Sequence, residues 1–402
     1  MFLSSYALYH NCPMTWQLRQ KARVFLAGTL WGSLFGVVIT LSLQEQYAIA
    51  YQKPSEIPSK EGNSDLLERK CKQVGYPSLD NIRVTSSYVS AFSPFLRTSL
   101  WVMEYVSHDN EASSPVGTRS KSSFYKDPDI IDTFRASNTD YRDGAELGLS
   151  RGHLAPAQMH TQTQKEMDET FNLSLNIVPQ LMSTNGCDWF RLEKMVKNLS
   201  KKYNETWIVT GPAFIPNEYG NESENQKQKV WKTEFTLIGE KRVAVPTHLF
   251  KVVLGKQASL GSKYHCAAFL LPNSPIPDEL PMTKYQIDVE ELEGLTGLRF
   301  FPELRYTDAQ RNSIEKGHPL ALSTFQSPVK WKDMCKESVC EGGYASFSKM
   351  YRHLSKMQSA KSIVELDELW SEAQALGYAT RLKKDYETLK DAMLETSQDM
   401  QS

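Results

Sequence analysis

Three short segments of this chain, Ser150-Arg151-Gly152-His153, Asn176-Ile-Val-Pro-Gln180 and Asn185-Gly-Cys-Asp-Trp189-Phe-Arg-Leu-Glu193, gather the side chains that a metal-assisted phosphodiester cleavage needs. A water molecule must lose a proton to a base that works near neutral pH, and histidine supplies this most readily, which points to His153. The extra negative charge of a phosphorane-like transition state calls for a cation, and Arg151 is the planar, permanently charged option. The departing oxygen needs a Lewis acid. Mg²⁺ suits that role on few oxygen ligands because it dehydrates reluctantly.

The spacing adds to the residue types. Asn185, Trp189 and Glu193 follow one another at intervals of four. On a helix that starts near Asn185 they share one face, with Asn185 and Glu193 two turns apart, about 12 Å of rise. Trp189 would then pack inward and fix the helix, Asn185 would point its amide oxygen out of the helix start, and Glu193 would hold a metal-bound water. Taken singly, each residue has a plainer use: Asn185 as an N-cap, Glu193 as a solvated helix residue, Arg151 in a surface ion pair, His153 as a structural histidine. The joint spacing carries the case.

The elements that must position these groups can be read coarsely. Strand-like runs rich in β-branched and aromatic residues lie at 101–106, 206–211, 247–254 and 266–272. A helix is expected around 187–203, with Trp189, Leu192, Val196 and Leu199 on one face. Strands with few helices between them, and no regular βαβ alternation, predict an α+β fold with a mainly antiparallel sheet flanked by helices. After residue 305 the chain turns polar, then becomes strongly helical, with a Gly-Tyr break at 377–378 that reads as a small helical hairpin.

Composition bounds the rest. The chain has 402 residues, 40% of them apolar and 23% charged, enough for a core and a prior of two to three domains of about 150 residues. Lys and Arg number 46 against 47 Asp and Glu, a net charge of −1 that argues against a polybasic nucleic-acid binder while leaving a local basic cleft open. Six cysteines are too sparse for a disulfide scaffold. The charge is uneven: residues 1–44 hold Arg19, Lys21 and Arg23 and no acid, which leaves 43 basic against 47 acidic groups in the body. Val24–Leu43 is uncharged and long enough for a bilayer core of roughly 30 Å, and Gly28, Gly32 and Gly36 recur at small-xxx-small spacing. Two readings stand: a mitochondrial segment left as a membrane anchor, or a secretory signal cleaved after Ala48-Ile49-Ala50, with sequons at Asn172, Asn198, Asn204 and Asn221. The implied organisation is a targeting segment (1–44), a linker (45–63), a catalytic domain (64–305), and a linker with a helical extension (306–402).

The motif SRGH…NIVPQ…N-x-x-x-W-x-x-x-E resembles that of the DNA/RNA non-specific ββα-metal nucleases, and the likeness runs over roughly residues 64–305 through ASNTDYRDG, WIVTGPAFIP and LTGLRFFPEL. The resemblance implies the ββα-metal fold. It implies that His153 is the general base, Asn185 the single protein ligand of Mg²⁺ (or Mn²⁺), Glu193 a holder of metal-bound waters, Asn176 a residue that orients the site, and Arg151 a clamp on the scissile phosphate. Arg119, with Lys121 as the alternative, matches the family's upstream arginine. The family's usual first motif residue is Asp, and Ser150 there, with the N-terminal segment and the helical extension, resembles the ExoG branch of mitochondrial exo/endonuclease G-like enzymes. That branch implies DNA and RNA substrates, 5′→3′ exonuclease with endonuclease activity, a homodimer, an inner-membrane anchor at 24–43 and a wing-like C-terminal extension. A catalytically inactive nucleic-acid-binding nuclease fold and a secreted nuclease are the alternatives.

The chain departs from the family in one more place. The usual Phe-x-Leu-Ser-Asn is here Phe171-Asn-Leu-Ser-Leu175-Asn176, one residue longer, and a bulge before Asn176 is expected to absorb it. Cys187 reads either as a site-perturbing thiol or as an inert helix-start residue. Cys335 and Cys340 read as a disulfide or as half of a zinc site.

Overall fold

Side-chain alternation decides the centre of the molecule. The computed structural model describes residues 63–107, 116–219, 230–257, 264–305, 331–337, 340–343 and 345–399. Within these, the strands used below are Ile82–Val84 (β1), Val89–Ser93 (β2), Thr98–Ser107 (β3), Leu149–His153 (β4), Ile177–Leu181 (β5), Glu205–Ala213 (β6), His248–Lys256 (β7), Tyr264–Pro272 (β8), Gln286–Ile287 (β9) and Lys332–Asp333 (β10). The main sheet runs β1-β2-β3-β6-β7-β8-β9 with antiparallel neighbours, and β10 joins β8 in parallel. All four strand-like runs of the sequence lie in it.

Along β7, Phe250, Val252 and Leu254 point to one face and Leu249 and Val253 to the other, each into a separate buried cluster. The first face is covered by helices Asn63–Val74 (α1), through Leu67 and Cys71, and by a later helix at 289–296 through Val289 and Leu292, together with Phe300 and Phe301. The second face receives Trp189, Leu192, Val196 and Leu199 from the helix that carries the candidate site residues. In chain order after α1 come Asn138–Ala145 (α2) and Gln164–Glu169 (α3), then the site helix proper, Phe190–Ser200 (α4), and Val289–Thr296 (α5). A mixed α+β architecture with a central antiparallel sheet and flanking helices is therefore present.

β4 and β5 stand outside the main sheet as a separate antiparallel pair, with Ser150 opposite Gln180 and His153 opposite Ile177. Buried hydroxyls fasten this pair to the start of β3: Thr98 Oγ1 donates to the Ile177 carbonyl at 3.0 Å and Ser99 Oγ to the Leu175 carbonyl at 2.8 Å.

Several expectations change. The extra residue before Asn176 is absorbed by a turn, not by a strand bulge: Asn172 Oδ1 accepts the N–H groups of Ser174 and Leu175, the Asn176 N–H closes onto the Asn172 carbonyl, and β5 begins only at Ile177. Asn172, one of the four sequons, is thereby buried. From residue 346 on, the described residues form three helices in place of a hairpin, Ser346–Gln358 (α6), Ile363–Ala375 (α7) and Ala379–Asp399 (α8), sharing a core of Leu354, Met357, Leu366, Ala373 and Leu382. Gly377 turns the chain between α7 and α8 at φ +76°, where glycine is unstrained. Of the two readings for Cys335 and Cys340, the disulfide is formed. Among the described residues no helix is long and apolar enough to cross a membrane; the apolar run 24–43 lies outside the described residues, as does most of the linker before α1.

Because Asn172 also donates to Asp127 Oδ2 at 2.8 Å, its carboxamide closes the turn and ties it to the 125–127 segment. Asn172→Ala strands these buried groups and is expected to lower stability by about 1–3 kcal/mol. Chemical denaturation of wild type and variant checks this, and an unchanged midpoint would show the turn to be self-supporting.

Candidate active site

The hairpin β4–β5 brings the first half of the site together. Arg151 and His153 alternate onto the same side of β4, where both meet Phe124. The His153 ring lies edge-on to Phe171 at 5.1 Å between centroids and tilted to Phe124 at 5.7 Å. Arg119 stacks over Phe171 at 4.9 Å, and Arg151 over Phe124 at 5.1 Å and Tyr141 at 5.8 Å. Two guanidinium groups thus stand on the aromatic rings that enclose one imidazole. The short helical turn Arg119–Lys121 leaves Lys121 exposed. Its segment is tied down by the Gly117 N–H on the Thr161 carbonyl, by Thr118 N–H on Gln164 Oε1 and by Ser122 Oγ on Asp168 Oδ1 at 2.6 Å.

Burial, and after it the Arg119 charge, hold His153 down to about 3. It is a neutral imidazole at pH 7, with its Nε2 buried and without a hydrogen-bond partner among the described residues. Burial likewise lowers Arg151 from the ordinary arginine value. Asn176 does not face these groups. Its Oδ1 accepts the Ala155 N–H at 2.8 Å, and its Nδ2 donates to the Ala155 and Thr170 carbonyls at 2.9 and 2.8 Å. Fully committed to backbone, it pins the segment that leaves His153.

Asn185 belongs to the second half. The helix begins one turn earlier than its sequence suggests, at Met182, and passes through a π turn over Asn185–Trp189 before continuing as α4. Asn185 is therefore not an N-cap. Its Nδ2 donates to Ser150 Oγ at 3.0 Å, and Ser150 Oγ donates to the Gln180 carbonyl at 2.9 Å, so the hydroxyl fixes which way the carboxamide points and leaves Oδ1 unclaimed among the described residues. Trp189 is fully buried and Glu193, one turn on, is half-buried, with Gln158 Nε2 at 3.5 Å. Burial, seconded by the charge of Glu104, raises Glu193 to about 7, with Lys251 opposing.

A family model described as DNA/RNA non-specific endonuclease matches residues 68–322. The chain belongs to this family. It is 34% identical to bovine mitochondrial Endonuclease G over 243 residues, 60% of this chain and 76% of that one. It is 31% identical to human mitochondrial Nuclease EXOG over 293 residues, 72% of this chain and 76% of that one. The likeness to mouse mitochondrial Nuclease EXOG, at 28% identity, extends over 94% of this chain and 96% of the mouse protein. A solved complex of EndoG with EndoGI contains a chain that superposes with a TM-score of 0.54 at 33% identity, covering 63% of this chain and 96% of that one. The chain is accordingly a nuclease, a hydrolytic enzyme.

The nuclease carries further groups that reading its sequence for motifs misses. Beneath α4 lies a sealed charged layer: Glu104 of β3 accepts from His160 Nε2 at 2.8 Å, and Lys251 of β7 donates to Thr210 Oγ1 at 2.5 Å with its ammonium 5.3 Å from the Trp189 ring centroid. Their signal was available, since each is a charged residue in the middle of an apolar strand. Cys187 resolves toward the inert reading: it is buried, and burial together with the Asp188 charge pushes its thiol up to about 12.

The two shifted groups pull stability in opposite directions with pH. His153 titrates at 6.5 when unfolded and about 3 when folded, so the unfolded nuclease binds the extra proton and stability falls as pH drops from 6.5 toward 3. Glu193, raised from 4.5 to about 7, adds stability that is complete below pH 4.5 and is lost as pH rises through 7. Metal-free His153→Phe should lose stability from pH 4.5 to 7, and metal-free Glu193→Gln should gain it from about pH 3 to 6.5. Denaturation midpoints across that range check both slopes, and parallel profiles for the two variants would refute the assignment.

Proposed function

We propose that the nuclease hydrolyses phosphodiester bonds of DNA and RNA with His153 as general base and Asn185 as the protein ligand of a divalent cation, Mg²⁺ or Mn²⁺. The observation that carries this reading is the Asn185 carboxamide, whose nitrogen is tied to Ser150 and whose oxygen is left over, Ser150 lying on the strand that also carries the neutral His153 imidazole with Arg119 and Arg151 on the aromatic rings around it. The donor set fits such a cation. The direct donor is the amide oxygen of Asn185, with the carboxylate of Glu193 placed for the cation's waters, and no group of three or more His, Cys, Asp or Glu able to hold a metal exists among the described residues. An ion that keeps most of its waters needs no more. When bound, the cation supplies Lewis-acid stabilisation of the departing 3′ oxygen.

The remaining roles fall to the chain. His153 takes the proton of the attacking water. Arg119 and Arg151 hold phosphate oxygens, and an anion placed there offsets the charge of Arg119 and lifts His153 toward the range in which a base is effective. Glu193 orients waters and Asn176 steadies the loop behind His153. The products carry 5′-phosphate and 3′-hydroxyl ends. The mitochondrial names of the EXOG and Endonuclease G relatives support a mitochondrial location; the broader proposal adds 5′→3′ exonuclease with endonuclease activity, a homodimer, residues 24–43 as inner-membrane anchor, and a catalytic domain at 64–305 carrying the extension 306–402. The second reading, a secreted nuclease, is favoured by the Cys335–Cys340 disulfide, which suits an oxidising compartment; a mature N-terminus at Tyr51 with glycans on exposed sequons would decide for it.

The full-length chain with Mg²⁺ is expected to degrade labelled duplex DNA and RNA, open ends faster than blocked ones. His153→Ala should lose about 10²–10⁴-fold in rate, and Asn185→Ala should lose its response to added Mg²⁺. Undiminished cleavage by His153→Ala would overturn the choice of base.

A further inference from the structure

We infer that Arg352, on helix α6 of the C-terminal extension, is a positioning residue for Asn185, so that the extension is part of the apparatus that presents the cation's ligand. The inference rests on reading Asn185 as that ligand. Helix α6 touches the chain on both sides of Asn185. Ser183 Oγ donates to Gln358 Oε1 at 2.6 Å. The Tyr351 ring lies so close to Gly186 that a Cβ there would come within 2.2 Å of it. Arg352 Nη2 donates to Asp188 Oδ1 at 2.7 Å, with Asp188 1% and Arg352 7% exposed. These contacts fall at positions 183, 186 and 188, and Asn185 lies between them.

Asp188 is the joint of this clamp. It sits within the π turn, and its Oδ1 also accepts from Arg191 Nη1 at 2.6 Å. Arg191 continues to the Gly342 and Leu280 carbonyls at 3.1 and 3.0 Å. Arg352 continues to the Ile276 carbonyl, whose own N–H donates to Ser355 Oγ at 3.0 Å. A π turn is an uncommon local geometry that surroundings must hold in place. One carboxylate shared by two buried guanidinium groups, each anchored on backbone carbonyls, does so here. If Arg352 is lost, the turn can relax toward regular α geometry, which rotates Asn185 relative to Ser150 and moves its oxygen away from the place where Glu193 can reach the same hydrated ion. Groups that orient a metal ligand in this way alter affinity for the metal when removed.

The test uses full-length protein in mild detergent and Mn²⁺ as the probe, with free Mn²⁺ read by electron paramagnetic resonance and no substrate present. Arg352→Met is expected to raise half-saturating Mn²⁺ about tenfold or more, and Arg352→Lys, which keeps the charge without the fork, by less. Leu382→Ala, in the core shared by α6, α7 and α8, is expected to lower the unfolding temperature while leaving the Mn²⁺ curve in place. An Arg352→Met protein with wild-type circular dichroism and wild-type Mn²⁺ binding overturns the inference, as does a Leu382→Ala shift equal to that of Arg352→Met. Should Arg352→Met not fold, Arg352→Lys decides, and a wild-type curve from it overturns the inference. A wild type that binds Mn²⁺ but cuts neither DNA nor RNA removes the proposed reaction and leaves Arg352 to be judged on binding. A wild type that binds no Mn²⁺ removes both.

Discussion

The indole of Trp189 is closed between the sheet and the helix it belongs to, and the position of each proposed site group on α4 follows from that packing. Burying an aromatic side chain of this size removes about 150–250 Å² from water, worth roughly 4–6 kcal/mol at about 25 cal/mol/Å². Leu192, Val196 and Leu199 continue the same stripe, so apolar contacts set the rotation of α4 about its axis. Once the rotation is set, the residue one turn before Trp189 and the residue one turn after it must come out at the rim of the packed face. Those residues are Asn185 and Glu193, and both are half-buried. Core packing thus sets where Glu193 emerges, while the π turn and its Asp188 contacts complete the placement of Asn185.

The sheet beneath that helix is not wholly apolar, and this too has a purpose in the arrangement. Glu104 and Lys251 point from β3 and β7 to the helix side of the sheet, at places where Val102, Ile208 and Val253 show an apolar residue would suffice. A sealed charge is tolerable only when paired and hydrogen-bonded. Lys251 meets that demand through Thr210, the indole face and two nearby carboxylates, and Glu104 meets it at Oε1 through His160, its Oε2 being buried without a hydrogen-bond partner among the described residues. The consequence appears at Glu193, whose proton affinity is raised by burial and by Glu104 and moderated by Lys251. The layer therefore sets the electrostatic environment of the half of the site that the helix presents. His153 stands in contrast, since aromatic rings and Arg119 provide its environment.

Period-two and period-3.6 patterning makes the sheet and the site helix legible in the sequence, because Leu249, Phe250 and Trp189 lie in runs where burial dictates residue type. The same logic failed where local hydrogen bonding outweighs pattern. The extra residue at 171–176 was expected in a bulge, yet Asn172 can satisfy three backbone and side-chain groups at once in a turn, which removes the need to disturb the strand. The start of the helix was misplaced because Met182-Ser183-Thr184 carries no apolar stripe of its own; Thr184 Oγ1 on the Ser274 carbonyl and Ser183 on Gln358 hold it from outside. The clamp at Asp188 was invisible for a related reason. Its partners, Arg191 and Arg352, are 161 positions apart in a chain that gives no periodic signal for an ion pair.

Ser150 shows how a departure from the family's usual residue can be consistent with its surroundings. The position must do two things at once: donate to the Gln180 carbonyl across the β4–β5 pair and accept from the Asn185 carboxamide. A hydroxyl is both donor and acceptor, whereas an ionised carboxylate only accepts. An aspartate in the same rotamer would set its negative charge against the Gln180 carbonyl oxygen and would have to turn elsewhere or recruit a cation. With serine, the local charge is lower by one and the amide orientation is secured by a neutral hydrogen bond. The attraction for a divalent cation then rests more heavily on Glu193 and on the geometry of Asn185 than on net charge. This is the arrangement in which the outer supports of Asn185, the π turn and the helix packed against it, matter most, because position 150 carries no carboxylate to compensate for a misdirected amide oxygen.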